Sequence, residues 1–171
     1  MNKSKLDTAA NIAIILVCIV AAAVLIRNNF FPPQAAAPPG MAQAEKGDQL
    51  PVLKAALPQG SDRTLFVMLQ PQCHFCNDSM PFYKRLLDER NQKGSQVKVV
   101  AAVGRAEAQA EEQQKLAAAG VQPDHVTTVD FSAAKVPGTP FLVLVDNQGK
   151  VLDAWVGKLD EDKEQEVLER L

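Results

Sequence analysis

An apolar run near the start of the chain covers residues 9–26, where Asn11 is the only strongly polar residue. Eighteen residues in helical conformation rise about 27 Å, slightly less than a membrane hydrocarbon core of about 30 Å. Two phenylalanines follow shortly afterwards and extend the run toward the membrane interface. We therefore predict a transmembrane helix over residues 9–31, preceded by a short N-terminal segment, residues 1–8.

The charges that flank this run predict its orientation. Two lysines and the amino terminus precede it, whereas Arg27 is the only cation close behind it. Because Lys and Arg are retained on the cytoplasmic side, residues 1–8 are expected in the cytoplasm and the rest of the chain outside. A cleavable signal peptide is the alternative, but the small residues 35–37 lie well beyond the apolar run. An uncleaved anchor is favoured, with Cys18 an apolar residue of its helix.

Proline and alanine dominate residues 32–47, which lack the apolar periodicity needed to build a core. This composition is typical of a semi-extended spacer, and we predict a linker here. Beyond it, residues 48–171 alternate between continuous apolar runs and segments with helical spacing, as expected of one α/β domain.

Apolar runs and turn residues define the elements of this domain. The run at 64–69 is continuous, as expected of a strand buried on both faces, and it leads toward Cys73. Pro81 is expected to kink the next helix, because proline lacks an amide donor and its ring crowds the preceding turn. The predicted elements are a helix at 48–57, a strand at 64–69, a helix at 74–92, a strand at 97–103, a helix at 107–119, a short strand at 126–130, a hairpin of strands at 141–146 and 151–156, and a helix at 160–171 capped by Asp160.

The composition indicates a globular domain with no nucleic-acid partner. Apolar residues make up 47 % of the 171-residue chain, charged residues make up 22 %, and the net charge is −2. A phosphate-binding surface needs clustered cations, which this sequence lacks. The three cysteines, Cys18, Cys73 and Cys76, are too few to staple a disulfide-rich mini-protein, so their presence calls for a chemical explanation.

The sharpest chemical signal is Cys73-His74-Phe75-Cys76, a CxxC motif where a buried strand meets a helix. The free amides and the positive dipole end of a helix N-terminus lower the pKa of the first thiol and make thiolate available near neutral pH. The two-residue spacing lets Cys76 close a readily exchanged disulfide with Cys73. We expect Cys73 to attack and Cys76 to resolve the mixed disulfide. His74 would add positive charge near Cys73, and Phe75 would contact a partner.

A zinc site and an inert pair are the alternatives for this motif. Tetrahedral zinc takes about four ligands, usually from two CxxC knuckles, and the sequence contains one such motif. Cys18 falls in the predicted membrane helix, and His125 has no metal-ligand partner nearby in sequence. The redox interpretation is favoured, with no metal and no cofactor predicted.

Thr139-Pro140 is a second candidate, placed just before the predicted strand 141–146. Most X-Pro bonds are trans, so the dipeptide alone is a weak signal. The dipeptide gains weight because it follows a strand–CxxC–helix unit. A cis-proline at such a position would bring its loop against the active-site sulfurs. A backbone edge exposed there can pair with a polypeptide substrate.

Together these features resemble the thioredoxin superfamily, and specifically the membrane-tethered bacterial envelope branch typified by TlpA and ResA. The resemblance covers essentially residues 64–171. It implies a thioredoxin-like three-layer α/β sandwich with a mixed central sheet, in the order β-α-β-α-β-β-α, preceded by the transmembrane helix. The matching residues are the strand LFVML, the motif Cys73 to Cys76 with Met80-Pro81 after it, the loop from Val136 to Leu142, the hairpin from Asp146 to Val151, and Gly157 before the last helix.

Three positions depart from the family pattern. Gln72 stands where thioredoxin has a Trp, Val67 replaces a buried Asp, and Ser79 replaces an acid that the tethered reductases often carry. The carboxylate that usually carries a proton to the resolving thiol therefore has no obvious equivalent. Asp78 and Glu89 lie nearby in sequence, and solvated charges on a helix face are the favoured interpretation of both.

The resemblance implies a periplasmic thiol–disulfide oxidoreductase, anchored in the bacterial inner membrane, that exchanges disulfides with partner proteins. A reductase is favoured over an oxidase or an isomerase. It would need a membrane-embedded electron donor, because NADPH is absent outside the cytoplasm, and we expect a monomer.

Two other functions can be carried by the same fold. Gln70 disfavours a thiol peroxidase, since that class needs Thr three residues before its reactive cysteine. A metallochaperone for copper or haem maturation, with the cysteine pair as metal ligands, is the alternative that stays open.

Overall fold

The computed structural model describes residues 42–171, together with Ile15 and Val17. These two isolated residues have helical backbone and exposed side chains. The rest of the predicted transmembrane helix 9–31, the N-terminal segment 1–8 and most of the predicted linker 32–47 lie outside the described residues. No helix among the described residues is long and apolar enough to cross a membrane.

A mixed sheet of five strands forms the centre of the domain. The strands are β1 (Arg63–Leu69), β2 (Lys98–Val103), β3 (His125–Thr128), β4 (Phe141–Asp146) and β5 (Val151–Val156). Their order across the sheet is β3-β2-β1-β4-β5, with β2 parallel to β1 and β3, and β4 antiparallel to β1 and β5. The mixed sheet predicted from the sequence is therefore confirmed, and the short strand predicted at 126–130 corresponds to the edge strand β3.

The helix predicted over 74–92 is divided into two helices that meet at Ser79. Pro81 stands in the first turn of the second helix, where its missing amide breaks no helical hydrogen bond, so the kink expected at Pro81 is replaced by a break before it. The described helices are α1 (Pro51–Ala55), α2 (His74–Asp78), α3 (Met80–Gln92), α4 (Gln109–Ala118) and α5 (Glu161–Glu169), with a 3-10 turn at Ala106–Ala108.

The central strand β1 is apolar along its whole length because both of its faces are covered. Phe66 pairs with Val100 of β2 on one side and with Val143 of β4 on the other. Leu65 and Val67 point into one core, whereas Phe66 and its neighbour Met68 point into the other. The period-two alternation of side chains in a strand divides the run between two layers of packing.

Helices α2 to α5 contribute to the core on the first face of the sheet. The buried side chains there include Cys76, so the redox motif is part of the main hydrophobic core rather than an appendage of the surface. Helix residues in this core are Cys76, Met80, Phe82, Tyr83, Leu86, Leu87, Leu116, Val167 and Leu168.

The second face of the sheet is covered by α1, by residues 129–136 and by the chain that enters the domain. Ala44 is fully buried there, and its amide donates to the Lys135 carbonyl at 3.0 Å. Asp48 and Val151 continue this contact, since the Val151 amide donates to the Asp48 carbonyl at 2.9 Å. Packed structure therefore begins by Ala44, before the predicted domain start at residue 48.

Candidate active site

The carboxyl end of β1 delivers the chain to the CxxC motif. The turn between them is closed by the Cys73 amide, which donates to the Gln70 carbonyl at 3.1 Å. Cys73 caps the N-terminus of α2, and its sulfur accepts a hydrogen bond from the Cys76 amide at 3.1 Å. Because an amide donor stabilises negative charge on the acceptor, this geometry favours the thiolate of Cys73 when the pair is reduced.

Cys73 and Cys76 are joined in a disulfide, and their Cα atoms are 5.2 Å apart. Cys73 is half-buried, whereas Cys76 has no exposed area. An incoming sulfur from a partner can therefore approach Cys73 from outside, while Cys76 lies behind it in the core.

The loop before β4 brings Thr139-Pro140 against this disulfide. The peptide bond between the two residues is cis, and the Thr139 carbonyl oxygen lies 3.3 Å from the Cys73 sulfur. The Pro140 carbonyl accepts the Gly157 amide at 2.8 Å, which ties the loop to the chain after β5. The structure thus assembles Cys73, Cys76, Thr139 and Pro140 at one end of the sheet.

His74 and Phe75 lie between the cysteines on the surface. The His74 side chain is 81 % exposed, and its Nε2 atom lies 3.4 Å from the Asp78 carboxylate. Lys158 reaches the same carboxylate at 3.4 Å. Phe75 is 56 % exposed and meets the His74 ring edge-on, so the motif presents an apolar ring to solvent beside the disulfide.

Sequence comparison matches residues 51–171 with the family described as thioredoxin-like domain. This match spans most of the chain and includes both cysteines and the Thr139-Pro140 loop. The chain belongs to the thioredoxin-like domain family. Comparison with curated protein sequences finds no match.

Solved structures share the fold of this thioredoxin-like domain at low sequence identity. A protein assigned as thiol:disulfide interchange protein DsbE from Chlorobium tepidum is 23 % identical, with a TM-score of 0.53 over 74 % of this chain and 98 % of that one. A secreted Mycobacterium tuberculosis disulfide oxidoreductase, homologous to E. coli DsbE, is 17 % identical, with a TM-score of 0.51 over 68 % and 86 % of the two chains. StoA from Bacillus subtilis is 15 % identical, with a TM-score of 0.50 over 64 % and 84 %.

Buried polar groups lie beneath the redox motif of the thioredoxin-like domain. The Ser79 hydroxyl donates to the Phe75 carbonyl at 2.8 Å, across the break between α2 and α3. Burial raises the pKa of the Tyr83 hydroxyl well above its ordinary value; contact with Ser79 opposes this rise, and the negative charges of Glu112 and Glu164 add to it. Charged groups of α4 and α5 therefore lie close enough to Tyr83 of α3 to act on it.

Glu112 and Lys115 of α4 were not identified from the sequence. Glu112 is fully buried, and its Oε2 atom lies 2.9 Å from Lys115 Nζ. The Lys115 ammonium donates to the carbonyls of Pro71 and Gln70, at 3.1 Å and 3.4 Å. The one available signal in the sequence was spacing, since Glu112 lies one turn before the buried Leu116 on the same helix face.

The part of the chain that the structure describes contains no group of three or more His, Cys, Asp or Glu side chains arranged to hold a metal ion. His125 lies at the start of β3, and its side chain is exposed.

Proposed function

We propose that this chain is a thiol–disulfide oxidoreductase that exchanges disulfides with partner proteins through Cys73 and Cys76. The observation that carries the proposal is the disulfide itself, placed at a helix start with the Thr139 carbonyl 3.3 Å from Cys73. In the reduced protein, the Cys76 amide that donates to Cys73 would stabilise its thiolate.

The reduction of a substrate proceeds in two exchange steps. The Cys73 thiolate attacks one sulfur of the substrate disulfide, a mixed disulfide forms, and the other substrate sulfur leaves as a thiolate that takes up a proton. Cys76 then loses its proton and attacks the Cys73 sulfur, which releases the second substrate thiolate. Two electrons pass to the substrate, and the protein is left with the Cys73–Cys76 disulfide.

The difference in exposure between the sulfurs supports this assignment of roles. Cys73 is half-buried at the surface, so it would make the first attack, and the fully buried Cys76 would resolve the mixed disulfide. Thr139 and Pro140 lie at the contact face, where their backbone would pair with an extended substrate segment. Phe75 and His74 would supply apolar and polar contacts to the partner at the same place.

The proposal includes a location and a direction of exchange. The apolar run at 9–26, with lysines before it, supports a single-pass anchor in the bacterial inner membrane with the thioredoxin-like domain in the periplasm. There the pair would act as a reductase that receives electrons from a membrane donor protein, and the chain would act as a monomer. Protease added to spheroplasts should then degrade the domain before lysis, whereas a domain resistant until lysis would contradict the location.

Trapping the mixed disulfide tests the function. The full-length chain carrying Cys18→Ser, to remove the third thiol, is combined with either Cys76→Ser or Cys73→Ser and incubated with insulin. Cys76→Ser should accumulate a covalent adduct that dithiothreitol cleaves, because the resolving thiol is missing, whereas Cys73→Ser should accumulate little. Equal adduct with both variants, or none with either, would overturn the assignment of roles.

A further inference from the structure

A fully buried carboxylate lies in α4, outside the group of residues that the exchange mechanism uses. Glu112 has no exposed area, and Leu116 is the other buried residue of this helix. Burying a carboxylate is strongly unfavourable unless a counter-charge accompanies it. The Lys115 ammonium, 2.9 Å from Glu112 Oε2, is that counter-charge, and the contact is an ion pair, since neither carboxylate oxygen has a hydrogen-bond partner within residues 42–171.

The Lys115 ammonium also contacts the turn that precedes the attacking cysteine. Its Nζ atom donates to the Pro71 carbonyl at 3.1 Å and to the Gln70 carbonyl at 3.4 Å. The Gln70 carbonyl accepts the Cys73 amide at 3.1 Å as well. A single carbonyl oxygen therefore links the ammonium to the backbone of Cys73.

Other charged groups also lie close to the motif, and Arg105, Glu107, Glu111 and Asp130 line the cavity beside the turn formed by Gln70, Pro71 and Gln72. The Asp78 carboxylate of α2 lies 3.4 Å from both His74 Nε2 and Lys158 Nζ. The pair in α4 differs because it is oriented: the ammonium touches the turn before Cys73, and the carboxylate lies behind the ammonium. Coulomb energy falls with distance, so the positive end of this pair has the larger effect on the turn.

We propose that Glu112 and Lys115 form a positioning pair for Cys73. Glu112 holds Lys115, and Lys115 fixes the turn from Gln70 to Cys73 with its positive charge directed toward the Cys73 thiolate. This inference rests on the proposed function, since it concerns the reactivity of Cys73 as the attacking thiol. The pair supplies charge to the motif from α4. Val67 and Ser79, which stand at the positions where related proteins carry an acid, supply no charge.

The reactivity of Cys73 toward iodoacetamide tests the pair without any partner protein. The reduced full-length chain with Cys18→Ser is alkylated across a range of pH, and modification of Cys73 is followed by mass spectrometry. Lys115→Gln should raise the pKa of the Cys73 thiol and slow its alkylation, at pH values well below that pKa, by about threefold to tenfold, the factor that half to one pKa unit produces there. Lys115→Arg retains charge and donors, and its rate should stay within about twofold of the parent rate.

Glu112→Gln separates positioning from direct electrostatics. If the carboxylate acts by holding Lys115, its removal should slow the alkylation of Cys73 as Lys115→Gln does. Faster alkylation would mean that the carboxylate acts on the thiol directly, and it would overturn the pair. Glu169→Gln removes an exposed charge from the end of α5, beside Arg170, which contacts Arg63 at the end of β1 far from Cys73, and it serves as the control, with no change expected.

If Glu112→Gln does not fold, Lys115→Gln alone still tests the positioning pair. Lys115 is 25 % exposed, so Lys115→Gln remains testable alone. An unchanged alkylation profile in that variant, with only a lower melting temperature, would show a packing role and overturn the proposal. Failure of the proposed function would look different, because the parent protein itself would then form no reversible disulfide between Cys73 and Cys76.

Discussion

The carbonyl oxygen of Thr139 lies 3.3 Å from the sulfur of Cys73, although 66 residues separate them in the sequence. Strand pairing creates this contact: β1 and β4 are antiparallel neighbours, and Met68, near the end of β1, pairs with Phe141 at the start of β4. Cys73 follows the first strand and Thr139 precedes the second, so both reach the same edge of the sheet. The redox motif and the loop that faces it are therefore positioned by the sheet and not by each other.

Phe75→Ala should weaken binding of protein substrates without unfolding the domain. The ring is 56 % exposed, so its removal should change the free energy of unfolding by less than about 0.5 kcal/mol. KM for a protein disulfide should rise about threefold or more, because the apolar contact with the partner is lost, while reaction with glutathione disulfide stays unchanged.

Phe82→Ala is the contrasting variant for Phe75→Ala. Its ring is 4 % exposed in the core, so its removal should lower the free energy of unfolding by about 3 to 5 kcal/mol. Urea denaturation of both variants checks this difference. An unchanged KM for protein substrates in Phe75→Ala would remove Phe75 from the contact surface.

Much of the fold was predictable because its signals are local. The continuous apolar run at 64–69 marks a central strand, since both faces of β1 are covered, and the structure confirms it at Arg63–Leu69. The CxxC spacing and the helix that follows also depend on neighbouring residues alone. Ser79 is an exception within this local pattern, because the break between α2 and α3 falls there and not at Pro81.

Glu112 and Lys115 show what the sequence does not reveal. Glu112 stands beside Glu111 in a helix rich in Ala and Gln, and only its spacing to Leu116 distinguishes the buried acid from the exposed one. Its burial depends on how α4 packs, and the partners of Lys115 are carbonyls 44 and 45 residues away. Backbone carbonyls have no signature in a sequence, so contacts of this kind become visible only in the fold.

Acid should release the contact between Asp48 and Lys135. The Glu45 amide, at 3.0 Å, and the Lys135 ammonium, at 2.9 Å, hold the pKa of Asp48 below its ordinary value of 3.8. Because the folded-state pKa is depressed, this contribution to stability is present above the unfolded-state pKa and is lost as the pH falls through the folded-state pKa.

Asp48→Asn isolates this effect of pH. The free energy of unfolding, measured by urea denaturation from about pH 2 to about pH 6, should decline more steeply toward acid in the parent protein than in Asp48→Asn. Parallel curves for the two proteins would contradict the contribution of Asp48.

Asp160→Ala should destabilise α5 without altering the redox chemistry. The Asp160 carboxylate accepts the Lys163 amide at 2.9 Å and caps the helix, as predicted from the sequence. Loss of such a cap should lower the free energy of unfolding by about 1 kcal/mol, while Asp160→Asn should retain most of the stability. The two variants should share one reduction potential, and a loss as large in Asp160→Asn as in Asp160→Ala would argue against the cap.

The reduction potential of the Cys73–Cys76 pair tests the central claim most directly. The full-length chain with Cys18→Ser is equilibrated in dithiothreitol or glutathione redox buffers, and the free thiols are quantified by alkylation. A reversible two-electron transition near the potential of thioredoxin, about −270 mV, is expected for the proposed periplasmic reductase. A potential of about −120 mV would mark a disulfide donor instead. Failure of the pair to form a disulfide at any buffer potential would contradict the oxidoreductase function itself.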